Sequence, residues 1–182
     1  MTDLLRVQAE IAETIAAEIR LKLSANERRR VRRSHARSAR AQEAYLRGRD
    51  HWNRETFEGL QKSVEYLSEA LQQEPAYAAY HSAMADWYLS AAIHGVIPMV
   101  DGIQKAKVET LRSLELDDQL AEAYACLGRI AIFEWDLQRA RAECDMAIRL
   151  NPNLVEPVIL SAKALSYLSL HEAAIARVKQ AK

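Results

Sequence analysis

The sequence contains little glycine, proline and cysteine, and each shortage excludes a class of protein. Its 182 residues include five glycines and four prolines, which is roughly 5% of the chain against about 12% in average proteins. Sheets of many strands need those residues in their turns, so the composition favours helices. Only Cys126 and Cys144 are present, and no further ligand lies at zinc-site spacing. A closed zinc site is therefore excluded, and both thiols are predicted to be small core residues.

Long apolar runs are also missing. The most apolar window, residues 91–100, contains His94, Gly95 and Pro98 and is far shorter than the roughly 20 residues of a membrane helix. The first residues do not resemble a secretory signal. We therefore expect a cytoplasmic location and no membrane span.

Charge is balanced overall but not along the chain. The sequence has 25 basic and 25 acidic residues, which argues against a protein built wholly around nucleic acid. The first 40 residues hold ten basic and five acidic side chains, whereas the remainder hold fifteen and twenty. A short basic segment thus precedes an acidic body.

Residues 1–25 are predicted to form an N-terminal amphipathic helix. Apolar side chains recur there every three or four residues, namely Leu4, Val7, Ile11, Ile15, Ile19 and Leu23. Because an isolated helix of this length is only marginally stable in water, the apolar stripe must pack on the rest of the chain or on a second copy.

Residues 26–40 are predicted to be a linker or a solvated extension of that helix. The segment has little apolar surface to bury and seven arginines: Arg28, Arg29, Arg30, Arg32, Arg33, Arg37 and Arg40. The alternative is a basic patch that contacts the phosphates of nucleic acid or of lipid. No aromatic residue is interleaved and no recognition helix follows, so nucleic-acid binding is disfavoured.

From residue 41 onward the chain repeats itself. Similar segments end at Pro75, Asp118 and Pro152, at spacings of 43 and 34 residues. A period of 34 residues built from two helices is the signature of the tetratricopeptide repeat (TPR). The unit at 121–154 resembles that family at its packing positions, which are Tyr124, Leu127, Gly128, Ala140, Ala147 and Pro152.

The resemblance implies an all-α, right-handed solenoid of helical hairpins. We divide it into units of about 41–77, 78–120, 121–154 and 155–182, the last being incomplete. The fourth unit carries Ala162, Ala174 and Ala181 in register with the third. Gly128, Ala140 and Ala147 are expected where helices approach closely, and Pro152 is expected to begin the next helix. Nine extra residues in the second unit predict a lengthened connection over about 89–102.

A narrower resemblance comes from the layout of the whole chain. A helix opening at Leu5 is followed by a linker, then by the segment Ala44 to Arg49 and the residues His51 to Arg54. This layout is similar to the C-terminal repeat region of bacterial regulators that carry a cyclase, winged-helix or serine/threonine kinase domain. It implies that the chain is a fragment of such a regulator.

Catalytic constellations are not found in the sequence. No glycine-rich phosphate loop and no histidine pair at helical ligand spacing occur, so we expect no enzyme activity, no metal and no cofactor. His51 and Trp52 stand beside Arg49 and Arg54, which leaves open either a ligand site or space filling between hairpins. His81 is interpreted as a structural or surface residue.

A peptide-binding groove is the remaining functional hypothesis. In the TPR family the first helix of each pair lines the concave face, and the residues predicted to face outward there are Ser82, Asp86, Leu89, Glu122, Arg129, Phe133, Ile159, Lys163 and Tyr167. The expected partner is a protein or peptide, or another domain of a parent regulator.

Two further expectations concern this surface and its edge. Ser82, Ala125, Asp86 and Arg129 replace the lysines and asparagines with which some family members hold a terminal carboxylate, so binding of chaperone tails is disfavoured. The apolar edge formed by Leu165, Ile175 and Val178 predicts self-association into a homo-oligomer.

Overall fold

The described part of the chain forms an array of four helical hairpins. The computed structural model describes residues 38–54 and 56–180, which contain eight helices and no strand. The helices are α1 (Ala39–Trp52), α2 (Phe57–Gln73), α3 (Ala78–Ile93), α4 (Met99–Leu116), α5 (Ala121–Phe133), α6 (Leu137–Leu150), α7 (Val155–Tyr167) and α8 (His171–Gln180). In this part of the chain no helix combines the length and the apolarity needed to cross a membrane.

The predictions for the start and the extreme end of the chain lie outside the described residues. They concern the amphipathic helix at 1–25, most of the basic patch, and Ala181. The exception is Arg40, which belongs to α1 because Ser38 caps the helix, its hydroxyl accepting a hydrogen bond from the Ala41 N–H. Arg40 Nε pairs with Glu69 Oε1 at 2.9 Å. The linker range assigned to 26–40 therefore extends too far at its C-terminal end.

Small residues determine how closely the helices of a hairpin approach. Ala106, Ala140 and Ala147 are fully buried on the second helices of two hairpins. A Cβ placed on Gly128 would lie 2.5 Å from Cys144 Sγ, a distance shorter than any normal contact. Larger side chains at these positions would force the two helices apart.

The connections between hairpins are tight turns. Pro152 lies in such a turn and is exposed, and α7 begins only at Val155, so the expectation that Pro152 begins the next helix is wrong. The turn is closed instead by Asn151, whose side-chain oxygen accepts the Asn153 N–H at 3.1 Å. A proline does lie within the first turn of α7, at Pro157, two residues after Val155. An N–H at that position would have no partner within the helix, so the proline costs no hydrogen bond there.

Only two of the nine extra residues of the second unit lengthen its connection, so the expectation of a lengthened connection over about 89–102 is wrong for most of that range. Compared with the α5–α6 hairpin, α3 is three residues longer, the connection two and α4 four. The packing positions Ala106 and Ser113 keep the spacing of Ala140 and Ala147. The extra residues therefore extend both helices beyond their shared contact, and the second hairpin is about one turn taller.

Three hairpins turn in the same way. Gly95, Trp135 and Ser169 adopt positive φ angles of 72°, 58° and 62°. In each case the next N–H donates to a carbonyl five residues earlier, as in Val96 to Ala91 at 2.8 Å and Asp136 to Ala131 at 2.9 Å. This Schellman arrangement satisfies the last carbonyls of α3, α5 and α7.

Candidate binding surface on the first helices

The first helices of the hairpins place charged side chains at one repeated position. Gly48 packs against Leu67 and the Ser63 carbonyl, as Gly128 packs against Cys144 and the Ala140 carbonyl, so these two glycines are equivalent. The position that follows is occupied by Arg49 in α1, Asp86 in α3, Arg129 in α5 and Lys163 in α7. It gives the array a row of charges along the first helices.

Arg129 joins three first helices at the centre of this row. Its Nη2 lies 3.5 Å from Asp86 Oδ1 and also pairs with Glu156 Oε1 of α7. The Arg129 side chain is only 15% exposed, so water screens these ion pairs less than it screens surface pairs. The guanidinium is thus held by the protein's own carboxylates.

Cys126 is a buried neighbour of the Asp86 carboxylate in this cluster. Its thiol donates to Asp86 Oδ1 at 2.9 Å. Burial raises the pKa of the Cys126 thiol well above its ordinary value, and the Asp86 charge adds to the effect. Burial also raises the pKa of Cys144, to about 12. Both cysteines are therefore neutral and enclosed, and neither has the features of a reactive thiol.

Part of the predicted groove is filled by the protein itself. Ser82, Asp86 and Leu89 are buried, so the prediction that they face outward is wrong. Leu89 packs in a cluster with Cys126 and Ile130 of α5. The neighbouring first helix covers these side chains, and sequence register alone does not show how closely α5 lies on α3.

An open cleft lies on the N-terminal side of Arg129. It has a volume of about 290 Å³. Its lining residues, which include no carboxylate, are Arg49, Trp52, Asn53, Leu60, Ser90, His94 and Arg129.

Arg49 is the side chain of this cleft best placed to receive a ligand. Its guanidinium carbon lies 4.7 Å from the centre of the Trp52 ring, and it forms no ion pair with any carboxylate in residues 38–54 and 56–180. His94 Nδ1 donates to the Ser90 carbonyl at 2.8 Å, which leaves Nε2 as the free ring nitrogen. An acidic side chain could pair with Arg49 while an apolar neighbour contacts Trp52.

An exposed aromatic pair marks the C-terminal side of the surface. The rings of Trp135 and Tyr167 have centroids 5.4 Å apart and are 71% and 48% exposed. Lys163 Nζ lies 5.8 Å from the centre of the Tyr167 ring. Sequence register predicted Tyr167 and Lys163 but not Trp135, because Trp135 belongs to a turn rather than to a first helix.

The other predicted groove residues differ in accessibility. Glu122, Ile159 and Lys163 are exposed, whereas Phe133 is half-buried against the cluster that contains Leu89. The open surface therefore consists of the cleft and the faces of α5 and α7.

The structure shows the surroundings of His51 and Trp52 and of His81. Trp52 packs partly buried against the core of the first hairpins and also lines the cleft, so it fills space and is accessible to a ligand. His51 stacks on Tyr66 with ring centroids 5.4 Å apart. His81 Nδ1 lies 2.6 Å from Glu109 Oε2, and its Nε2 lies 2.9 Å from the Pro75 carbonyl.

Comparison with known sequences gives a partial match. No family profile matches the chain. The transcriptional regulator HilA of Salmonella typhimurium is 33% identical over 86 residues, and HilA of Salmonella typhi matches equally. The match covers 47% of this chain and 16% of those relatives.

Comparison with solved structures identifies the fold. A thermophilic TPR protein of Thermus thermophilus, TTC0263, matches with a TM-score of 0.69 at 12% identity, over 97% of this chain and 89% of that one. The Arabidopsis OM64 TPR domain matches with a TM-score of 0.56 at 16% identity, over 70% and 96%. The first TPR of Spaghetti (RPAP3), bound to an HSP90 peptide, gives 0.58 at 14%, over 74% and 99%. The predicted all-α TPR-type solenoid is therefore confirmed.

Proposed function

We propose that this chain is a non-catalytic protein–protein interaction module that binds an extended or helical peptide along its first helices. The observations that carry the proposal are two accessible features, the cleft lined by Arg49 and Trp52 and the exposed ring pair Trp135 and Tyr167. Tryptophan, tyrosine and arginine are enriched among the few residues that supply most of the binding energy in protein interfaces. The peptide-bound TPR of Spaghetti has the same fold, which supports this use of the surface.

The cleft and the aromatic pair would bind different parts of the ligand. Arg49 offers a charge that no described carboxylate neutralises, whereas Arg129 is already paired with Asp86 and Glu156. The central ion pairs therefore shape the surface, and the two ends select the ligand. We expect an acidic residue at the cleft and an apolar or aromatic residue at Trp135.

A selection from a displayed peptide library, followed by titration of the selected peptides, tests the proposal. Trp135→Ala with Tyr167→Ala should weaken binding at least tenfold, because exposed aromatic anchors are removed without disturbing the core. Phe57→Ala is the matched control, since Phe57 is 62% exposed at the start of α2 and outside the surface. Selected peptides that bind both variants equally would contradict the assignment.

The wider context that we propose is the scaffold or regulatory part of a bacterial signalling or transcription regulator. The partial similarity to HilA, a transcriptional regulator, supports it. The partner would then be another domain of the parent protein. Isolated parent domains should bind the wild-type chain and lose affinity for the Trp135 and Tyr167 variant, and unchanged binding would exclude this surface as the contact.

A second candidate function is contact between the arginine-rich segment and DNA. The similarity to a transcriptional regulator favours it, although Arg40 is already paired with Glu69. Phosphate contacts weaken steeply between about 50 and 200 mM salt. Duplex affinity should therefore be measurable at the low end and fall steeply, and no affinity at about 50 mM would end the hypothesis.

A further inference from the structure

The cleft beside Arg49 is lined by unused hydrogen-bond donors, whereas two of its backbone acceptors are already occupied. The Leu60 carbonyl accepts the indole N–H of Trp87 at 2.8 Å. The Ser90 carbonyl accepts both the backbone N–H of His94 at 3.0 Å and its Nδ1–H at 2.8 Å. The lining residues include no carboxylate. A ligand that brings acceptor atoms and negative charge therefore suits this cleft better than one that brings donors.

Arg49 differs from the other arginines of residues 39–54. Each of the others pairs with a carboxylate at 2.6–2.9 Å, and these are Arg40, Arg47 and Arg54. Arg49 has no such pair with any carboxylate of the described residues, and its guanidinium carbon lies 4.7 Å from the centre of the Trp52 ring. The ring holds the guanidinium without neutralising its charge. Arg49 therefore keeps its planar set of N–H donors for an oxyanion.

Further donors come to the cleft from other positions. Asn53 is the C-terminal cap of α1 and His94 is the C-terminal cap of α3. The side chain of Asn53 offers an amide NH2 group, and His94 offers Nε2–H when its ring is an imidazolium. A phosphate monoester presents three terminal oxygens and up to two negative charges, whereas a carboxylate presents two oxygens and one charge. Three separate donor side chains thus match a phosphate better than a carboxylate.

The size of the cleft limits what can carry the phosphate. Its volume of about 290 Å³ lies just below the range of about 300–1,000 Å³ that is typical of pockets for drug-sized molecules. The cleft therefore admits one side chain rather than a nucleotide or a whole cofactor. Trp52 and Leu60 supply apolar wall, which suits the short carbon stem of a serine or threonine.

We propose that this cleft binds the phosphate group of a phosphorylated serine or threonine in the peptide ligand. The inference rests on the proposed function, because the peptide carries the phosphate, and it narrows the acidic residue expected at the cleft to a phosphate monoester. Arg49 forms the charge-assisted pair with the phosphate, and Asn53 and His94 are the further donors.

A titration with single capped amino acids tests the cleft without a peptide. Acetyl-phosphoserine methylamide is added to the full chain, and the indole N–H resonance of Trp52 is followed by NMR. It should shift at a concentration at least tenfold lower than with acetyl-glutamate methylamide, because the dianion forms stronger charge-assisted hydrogen bonds. No shift, or equal midpoints for the two compounds, would overturn the proposal.

Inorganic phosphate distinguishes the source of the anion. It lacks the carbon stem that would contact Trp52 and Leu60, so it should bind more weakly than the capped phosphoserine. Inorganic phosphate that binds as tightly as the capped phosphoserine would assign the cleft to a free anion and overturn the proposal.

Arg49→Gln should abolish the preference for phosphoserine over glutamate. Arg47→Gln is the matched control and should keep it. Arg47 also lies on α1 near an aromatic ring, 5.9 Å from the centre of Tyr66, but it pairs with Glu43 and does not line the cleft. A preference that survives in Arg49→Gln would overturn the assignment of the charge-assisted pair.

Peptides separate this inference from the proposed function. Each peptide selected by display is remade with phosphoserine, and separately with glutamate, at every position in turn. At one position phosphoserine should bind at least tenfold tighter than glutamate, and Trp135→Ala with Tyr167→Ala should weaken both forms equally. Weakening without any phosphoserine preference overturns the phosphate site alone. A preference that depends on Arg49, in peptides that ignore both aromatic residues, supports the phosphate site and refutes the role of the aromatic pair.

Discussion

The second and third hairpins both bring two helices into close contact, but their helices differ in length. In α5–α6, Gly128 allows the helices to meet at Cys144. In α3–α4, both helices continue about one turn further towards their connection, and a second close contact forms there at Gly102. A Cβ on Gly102 would lie 2.5 Å from Ala92 Cβ and 2.9 Å from the Tyr88 carbonyl. A repeat unit can therefore grow at one end if a small residue is supplied where the extended helices meet.

Gly102→Ala should have the largest effect on this comparison. Both atoms that the new methyl group would meet are fixed to the backbone of α3, so the helices must separate. We expect a loss of about 2–3 kcal/mol in the free energy of unfolding, measured by urea denaturation. Ala92→Gly should not restore the double variant, because the Tyr88 carbonyl remains at 2.9 Å.

The control for that prediction is Gly95→Ala in the same hairpin. A Cβ there meets nothing within 4 Å, so only the positive φ of the residue opposes the change, at a cost of about 1 kcal/mol. Equal effects of the two substitutions would show that α3 and α4 are not closely packed at Gly102.

Gly128→Ala should be less severe and can be rescued. The new methyl group would meet Cys144 Sγ at 2.5 Å, whereas the nearest backbone atom, the Ala140 carbonyl oxygen, is 3.3 Å away. We expect a loss of about 1–2 kcal/mol. Adding Cys144→Ala removes the sulfur and should recover part of that loss in the urea midpoint. Failure of this rescue would contradict a side-chain origin of the close packing.

The same contrast explains how far the sequence could predict the structure. Small residues at Gly128, Ala140 and Ala147 repeat with the period of the fold, so the hairpin solenoid was predictable. The nine residues added to the second unit have no such period, and helix extension and a longer loop fit the sequence equally well. The exposure of the surface that we propose for binding was predictable at Tyr167 and Lys163, which keep the register of exposed first-helix positions. It was not predictable at Asp86 and Leu89, because their burial depends on the distance between two hairpins.

The two hairpins also differ at the position of His81 and Tyr124. The Tyr124 hydroxyl donates to the Asp118 carbonyl at 3.1 Å. Both ring nitrogens of His81 face acceptors, so the charged imidazolium is favoured. The hydrogen bond to Glu109 is the main cause of the raised pKa of His81, with a smaller contribution from the Pro75 carbonyl. Desolvation and Arg112 oppose the shift.

This interaction should make the second hairpin sensitive to pH. A histidine pKa above its ordinary value of about 6.5 stabilises the fold fully below that value, and the contribution is lost as pH rises through the raised pKa. We expect the loss to be on the order of 1 kcal/mol, measured as a fall in the urea midpoint between pH 6 and pH 9. His81→Gln should remove this part of the pH dependence, and Glu109→Gln should reduce it. An unchanged profile in both variants would contradict the assignment.

The turns of the hairpins provide the smallest and most specific comparison. Gly95 occupies a left-handed position without strain, whereas Ser169 and Trp135 occupy the same position with side chains. Left-handed backbone costs a residue with a side chain about 1–2 kcal/mol, and glycine offsets part of that gain by its freedom in the unfolded chain. Ser169→Gly should therefore raise the free energy of unfolding by about 0.5–1 kcal/mol.

Trp135→Gly gains the same backbone relief but loses the ring contact with Tyr167, which is worth about 0.5–1.5 kcal/mol. The net change should be close to zero, and the difference between the two variants in urea denaturation measures what the Trp135 side chain contributes to stability. If Trp135→Gly stabilises the protein as much as Ser169→Gly does, the ring contributes nothing to folding. A strained, exposed tryptophan of that kind would be explained by binding alone.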